Sequence, residues 1–292
     1  MKPVKLYYAK LPNMGDLLNE YIVPMVTGRE IEHCESVSKF DVMGIGSCGG
    51  AIWGNKYSGI KNNIKDSAKK LICGPVSSPY AVWGTGLLQN FSGRKLELVR
   101  KNVNFIAVRG ALTQKVIEES LGRKINPVLC DGGILTADLL GKIPDKEFEV
   151  GIIPHYKEEH IFQNNGIYEG FKKKFPSIKI IDLREDPIKV IKDIAKCSII
   201  ISSSLHGCVC ADSFNIPNMR IQVSSIPGSG YKFDDYYSGF GITNPAFFIN
   251  DGNNIPSYND VIDQYKIRSE DVEEKKRGMR DCLLKFVEEQ IS

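Results

Sequence analysis

Short apolar runs alternate along this chain with stretches of helical spacing, and each run ends in a glycine or polar turn. Val4–Ala9 reads as a strand, followed by a turn at Pro12-Asn13-Met14-Gly15-Asp16. Leu17, Leu18, Tyr21, Ile22 and Met25 then recur at helical spacing, with Asp16 placed to cap the helix or charge its first turn. Asp41–Gly46 and Ala81–Gly84 are further apolar runs. Asn104–Val108 predicts a strand, Arg109-Gly110 opens a helix over Ala111–Leu121, and Val128–Cys130 leads into Asp131-Gly132-Gly133. Strand, turn and helix in repetition predict an α/β fold with parallel sheets.

The charged stretch Gly141-Lys142-Ile143-Pro144-Asp145-Lys146-Glu147 reads as a linker, after which the pattern restarts. Strands are expected at Val150–Pro154, Lys179–Leu183, Ser198–Ile201, Asn218–Val223 and Phe247–Ile249, and an amphipathic helix at Ile188–Ala195. A long terminal helix follows from Ser269 to Ile291, with Met279, Leu283, Leu284, Val287 and Ile291 on one face. The expected organisation is a first unit over 1–145, a second over 146–268, and a terminal helix over 269–292 that returns to the first. Two open α/β units place a ligand cleft between them, at the carboxyl ends of their strands.

Composition adds exclusions. With 38 Lys and Arg against 35 acids in 292 residues, the net charge of +3 offers no basic arm for nucleic acid. Apolar content of 42% argues for a globular chain. The start of the chain lacks the apolar core of a signal peptide, and no run approaches the length of a membrane span. Cys34, Cys48, Cys73, Cys130, Cys197, Cys208, Cys210 and Cys282 are scattered, with only one CxC, so free buried thiols in a reducing compartment are expected rather than a metal site or disulfides. A cytoplasmic protein is expected, with at most peripheral contact at the inner face of the membrane.

The most informative stretch is the end of the Ser198-Ile199-Ile200-Ile201 run. A strand without polar side chains after its first residue is expected at the centre of a parallel sheet. It runs into Ser202-Ser203-Ser204-Leu205-His206-Gly207, and Cys208, Val209, Ala211 and Phe214 then follow at helical spacing. Hydroxyls and an imidazole at a helix N-terminus suit an anion, and Gly207 would let a ligand approach the backbone. The bland alternative is that the serines cap the helix and His206 is structural.

At these residues the chain resembles the polysaccharide pyruvyl transferases. The resemblance covers nearly the whole chain. It rests on Asn13-Met14-Gly15-Asp16, Gly44-Ile45-Gly46-Ser47, Trp83-Gly84-Thr85-Gly86, Val108-Arg109-Gly110, Asp131-Gly132-Gly133, Gly151-Ile152-Ile153-Pro154-His155-Tyr156, the Ser202–Gly207 turn and Lys232-Phe233-Asp234-Asp235-Tyr236. It implies two Rossmann-like domains in a GT-B-like arrangement, phosphoenolpyruvate as donor and no cofactor. The implied acceptor is a sugar diol, for instance a galactose in a lipid-linked precursor, and the product a pyruvate ketal for exopolysaccharide or capsule. One departure stands out: several members carry Arg-Leu-His in the turn, with the arginine on the donor, and here Ser204 takes that place.

The donor's carboxylate and phosphate call for cations and a proton donor near neutral pKa. His206 is assigned the acid/base or donor-orienting role, and Arg109 resembles the family's donor-binding arginine, with a surface ion pair as its alternative. Donor contacts are expected from Ser202, Ser203, Ser204, Leu205, Gly207, Arg184 and His155. Arg184 is a candidate for the missing charge, and His155 for either substrate or neither. Acceptor contacts are expected from Asn13, Asp16, Asp131, Lys232 and Asp235, although capping or turn roles explain Asp16 and Asp131 almost as well. Phe233 and Tyr236 are read as a sugar-stacking edge or as core. Two rivals stay open: a GT-B glycosyltransferase, which would need an acidic residue for the nucleotide ribose, and a non-catalytic sugar- or nucleotide-binding protein. No GxGxxG follows the first strand, which argues against a Rossmann dehydrogenase.

Overall fold

The structure is a computed structural model that describes residues 1–53, 78–91, 97–225 and 228–291. Cys73 lies outside the described residues. Two five-stranded sheets carry the fold, and every pairing within them is parallel. The first contains β1 (Val4–Tyr7), β2 (Ile31–His33), β3 (Val42–Met43), β4 (Tyr80–Val82) and β5 (Val103–Phe105), in the order β2-β1-β3-β4-β5. A separate two-stranded pair follows, β6 (Ala107–Val108) with β7 (Val128–Leu129). The second sheet contains β8 (Phe148–Ile153), β9 (Ile178–Ile180), β10 (Cys197–Ser202), β11 (Asn218–Gln222) and β12 (Phe247–Phe248). Its order, β12-β11-β10-β8-β9, is the same arrangement read from the other edge.

In both sheets, then, the second strand in sequence flanks the first on one side and the third flanks it on the other. Chain direction across the sheet reverses between first and third strands, and the connections there leave to opposite faces. A crevice opens at the carboxyl ends of those two strands. In the first sheet they are β1 and β3, and in the second β8 and β10.

Strand β10 occupies the centre of its sheet, and Ile199, Ile200 and Ile201 are fully buried, as the unbroken apolar run requires. The run predicted over Asn104–Val108 divides instead. Ile106 donates its amide to Val82 and Asn104 carbonyls, and the chain leaves β4 to pair Ala107 and Val108 with β7. Periodicity cannot see this switch of partner, because the apolar run continues through Phe105, Ile106, Ala107 and Val108 without a break.

Among the helices, α1 (Met14–Leu17) and α2 (Asn19–Thr27) follow β1, and α3 (Ala111–Leu121) follows β6. α4 (Glu159–Asn164) and α5 (Ile167–Lys174) join β8 to β9. α6 (Pro187–Ala195) begins where Asp186 accepts the Lys189 amide at 2.9 Å, with Pro187 at its first position. α7 (Leu205–Ser213) continues from β10, α8 (Ser229–Ser238) follows β11, and α9 (Tyr258–Gln264) starts on a Ser257/Asp260 capping box. α10 (Ser269–Gln290) buries Val272, Met279, Leu283, Phe286 and Val287.

Helix α10 lies against α2, β7 and the 3-10 helix Gly132–Leu139 of the first half. Trp83 Nε1 donates to the Met279 carbonyl at 3.0 Å, and Arg280 pairs with Asp138. Each large apolar side chain so buried is worth roughly 1.5–3 kcal/mol. The apolar core is continuous across the two halves. Leu18, Ile45 and Trp83 belong to the same buried cluster as Ile153, Leu183, Cys208 and Val209, whereas the outer face of each sheet has its own smaller cluster. Between the halves, the Met14 amide donates to the Leu183 carbonyl at 2.7 Å and the Ala137 amide to Ser213 Oγ at 2.8 Å.

Candidate active site

A cleft of about 350 Å³ opens where the two switch points meet. Ala9 and Leu11 line it from the end of β1, and Gly46, Ser47 and Cys48 from the end of β3. From the second sheet come His155, Tyr156 and Lys157 after β8, with Ser204, Leu205 and His206 after β10. Asn13, Asp16, Leu88 and Lys232 complete the lining.

Two of the sequence motifs interlock here. Asn13 caps α1, its side chain accepting the Gly15 amide and donating to Asp16 Oδ2 at 3.3 Å. Gly15 then presents bare backbone to the His206 ring: a Cβ at that position would stand 1.8 Å from Nδ1. The glycine is needed because the second half's imidazole packs there, a requirement that no local rule reveals.

His206 Nε2 points away from the cleft toward Asp131 Oδ2, 3.8 Å distant. Both atoms are buried and neither has a hydrogen-bond partner among the described residues. The other Asp131 oxygen caps the 3-10 helix, accepting the Gly133 amide at 2.9 Å. Asp16 is held above the usual carboxylate range by burial, against the opposing pull of His206, Asn13 and Lys232. Lys232 is depressed, chiefly by burial and then by Arg109. It has no hydrogen-bond or ion-pair partner among the described residues. Burial, with Lys232 and Lys157 nearby, pushes His155 down to about 4, so its imidazole is neutral at physiological pH.

Several predicted site residues are committed elsewhere. Arg109 is fully buried rather than at the surface. Its Nε bonds Asp235 Oδ2 at 2.9 Å, one terminal nitrogen bonds Ser47 Oγ at 3.0 Å and the other the Leu87 carbonyl at 2.6 Å. Asp235 also accepts the Thr113 amide and hydroxyl, at 2.8 and 2.7 Å, so it offers no free oxygen edge to a sugar. The pair stands behind the wall and touches it at Ser47, a lining residue. Phe233 and Tyr236 are core.

Arg184 lies outside the cleft lining, bonded to Asp182 and Glu159. Two carboxylates already neutralise it, so it is no substitute for a donor-binding arginine. Asp131 likewise lies outside the cleft lining, against His206.

Within the serine turn the roles separate. Ser202 Oγ is buried, donating to a carbonyl of Ile153 or Ser204 and accepting the Ser204 amide at 3.0 Å. Gly207 faces that hydroxyl, not the cleft, and a Cβ there would meet it at 2.4 Å. Ser203 Oγ accepts the His155 amide at 2.8 Å, locking the β8 and β10 ends together. Ser204 is the N-cap of α7 but makes no side-chain capping bond, and it lines the cleft.

Lys157 is a lining residue that the sequence reading passed over. It stands over the Tyr156 ring at 5.6 Å. Its position two residues after His155, at the end of β8, was the available signal. The seven described cysteines are all free, and Cys48 lines the cleft. Among the described residues, no group of three or more His, Cys, Asp or Glu side chains is placed to hold a metal ion, and no helix is long and apolar enough to cross a membrane.

Comparison with known proteins agrees with the resemblance. A family model described as polysaccharide pyruvyl transferase matches residues 3–225. An uncharacterized protein of Acanthamoeba polyphaga mimivirus is 26% identical over 243 residues, 81% of this chain and 74% of its own. No solved structure matches.

Proposed function

The chain belongs to the polysaccharide pyruvyl transferase family, and on that premise we propose that its cleft transfers pyruvate from phosphoenolpyruvate to two hydroxyls of a sugar, forming a ketal. The observation that carries this reading is the composition of the cleft. Lys232, without an ion-pair partner among the described residues, and Lys157 share the lining with the His206 imidazole and the buried Asp16 carboxyl. Two ammonium groups, the Ser204 hydroxyl and the leading amides of a nine-residue helix suit a ligand with two anionic groups. They take the place of the arginine that Ser204 displaces.

Asp16, which burial keeps protonated to higher pH, is the acid that delivers a proton to the methylene carbon of the donor. C2 becomes electron-poor as the methylene becomes methyl. The first sugar hydroxyl then bonds to C2 and yields its proton to His206, phosphate leaves, and the second hydroxyl closes the ring. Of the two hydroxyl protons, one restores Asp16 and the other departs with phosphate, so the balance closes without an oxidant or cofactor. In this reading the two sheets act as Rossmann-like units in a GT-B-like arrangement. The first half holds the acceptor and the second the donor. The reaction takes place in the cytoplasm, on a precursor such as a galactose-containing lipid-linked saccharide.

A nucleotide-sugar transferase is disfavoured by the second-half wall. No carboxylate stands among its described lining residues to grip a ribose. Asp212 is buried, bonded by Asn218 and Tyr236, and burial pushes it up to about 7. Incubation with phosphoenolpyruvate and galactose- or mannose-containing acceptors tests the proposal. The expected result is phosphate release with an acceptor mass gain of one pyruvate ketal. Turnover of a nucleotide sugar, with no phosphate released from phosphoenolpyruvate, would replace it.

A further inference from the structure

Two buried polar atoms left unpaired against one another are a costly arrangement unless one supplies what the other lacks. His206 Nε2 and Asp131 Oδ2 form such a pair, 3.8 Å apart. At that separation no hydrogen bond is made, and a small movement of the ring would form one; such pairs can tighten only when substrate is bound. Oδ2 is an acceptor, and the only ring nitrogen facing it is Nε2. The Asp131 carboxylate is fixed by its second oxygen on the Gly133 amide, at 2.9 Å, at the head of a buried 3-10 helix. The ring packs on the bare backbone of Gly15, with Nδ1 the ring atom nearest the place a Cβ would take. Nδ1 makes no hydrogen bond among the described residues and, unlike Nε2, is not among the buried unpaired atoms; with His206 in the cleft lining, it is the ring nitrogen left for a ligand.

We propose that Asp131 is a positioning residue that holds the His206 proton on Nε2, leaving the Nδ1 lone pair as the site of proton exchange with substrate. This assigns Asp131 a different role from acceptor binding, and it rests on the transferase reading only for the identity of that substrate. A neutral imidazole carries one N–H, and its place is set by the acceptor the ring meets. With Nε2–H directed at Asp131, Nδ1 takes the proton of the attacking hydroxyl as its oxygen bonds to C2. The resulting imidazolium is stabilised by the carboxylate behind it, and the same Nδ1 later releases the proton with phosphate.

The tautomer is directly measurable in the whole protein without substrate. Long-range proton–nitrogen NMR of protein labelled at its four histidines reports which ring nitrogen is protonated. Single Gln variants at His33, His155 and His160 identify the His206 signals by elimination. The expected result is a neutral His206 ring with hydrogen on Nε2, and a shift toward Nδ1–H in Asp131→Asn, whose amide can donate to Nε2 while its oxygen keeps the Gly133 bond. Asp131→Asn should also lower kcat about 100- to 10,000-fold, as expected when a catalytic imidazole is held in the wrong tautomer, with little change in KM for phosphoenolpyruvate.

A wild-type ring protonated on Nδ1 would overturn the assignment, whatever the variant does. So would an Asp131→Asn protein that keeps both the wild-type tautomer and the wild-type kcat. Nε2 protonation in a protein that releases no phosphate from phosphoenolpyruvate would leave the pair standing and remove the transferase reading instead.

Discussion

Two clusters of charged side chains, one around Arg109 behind the cleft wall and one around His206 in it, are built on opposite principles. Around Arg109 every charge is answered: Asp235, Ser47, Leu87 and Thr113 close the network, and no polar atom of either ion is left unpaired. Around His206 the pairing is incomplete. Among the described residues, Asp131 Oδ2 and His206 Nε2 lack hydrogen-bond partners and Lys232 lacks an ion-pair partner, while burial raises Asp16 against the pull of its neighbours. A closed network rigidifies a wall, and an open one keeps its electrostatic capacity for a ligand. Residue type did not separate the two clusters, because each offers a cation and a carboxylate. Satisfaction of hydrogen-bonding capacity did.

The contrast is breakable by mutation. His206→Gln should cost the most activity, about 100- to 10,000-fold in kcat if the imidazole transfers a proton, with a thermal midpoint close to wild type; phosphate-release kinetics beside a melting curve checks both. Arg109→Ala should show the reverse. Stranding the buried Asp235 charge costs roughly 3–5 kcal/mol in folding free energy, read by urea denaturation, and inactivity would then follow from unfolding. A folded, stable Arg109→Ala protein with a raised KM for phosphoenolpyruvate would instead make Arg109 a ligand contact and dissolve the distinction.

Smaller effects sharpen it. Lys232→Ala removes one charged contact to an anionic donor, worth about 1.5–3 kcal/mol, so KM for phosphoenolpyruvate should rise by about 10- to 100-fold. Lys232→Arg should recover part of that, and initial-rate kinetics over a donor titration resolves it. The smallest change is expected at Arg184→Ala. An exposed bridge to Asp182 and Glu159 contributes about 1 kcal/mol or less, and KM should not move, because the guanidinium lies outside the cleft. A raised KM there would place a second donor cation beyond the lining described above.

Much of the fold was legible in the residues. The Ser198–Ile201 run announced a central strand, the Ile188–Ala195 spacing gave an amphipathic helix, and Met279, Leu283 and Val287 marked the buried stripe of the terminal one. These are local properties, set by period and by turn chemistry. The 3-10 helix after Asp131 and α8 over the Lys232–Tyr236 motif were not foreseen as helices, since neither segment has a decisive period of its own. Strand β2 was also missed, being three residues long and only half-buried.

The sequence by itself therefore determined the alternation of strands and helices, the α/β class, the motif set that marks the family, and His206 as a residue at a strand-to-helix junction. Only the tertiary structure decided which motif residues share the cleft, because that depends on contacts between segments far apart in the chain. Gly15 meets His206, Asp235 meets Arg109, and Asp131 lies behind the imidazole. A side chain's type states what it can bond. Whether it is already bonded, and so whether it is wall or working group, is settled by neighbours that folding alone brings within reach.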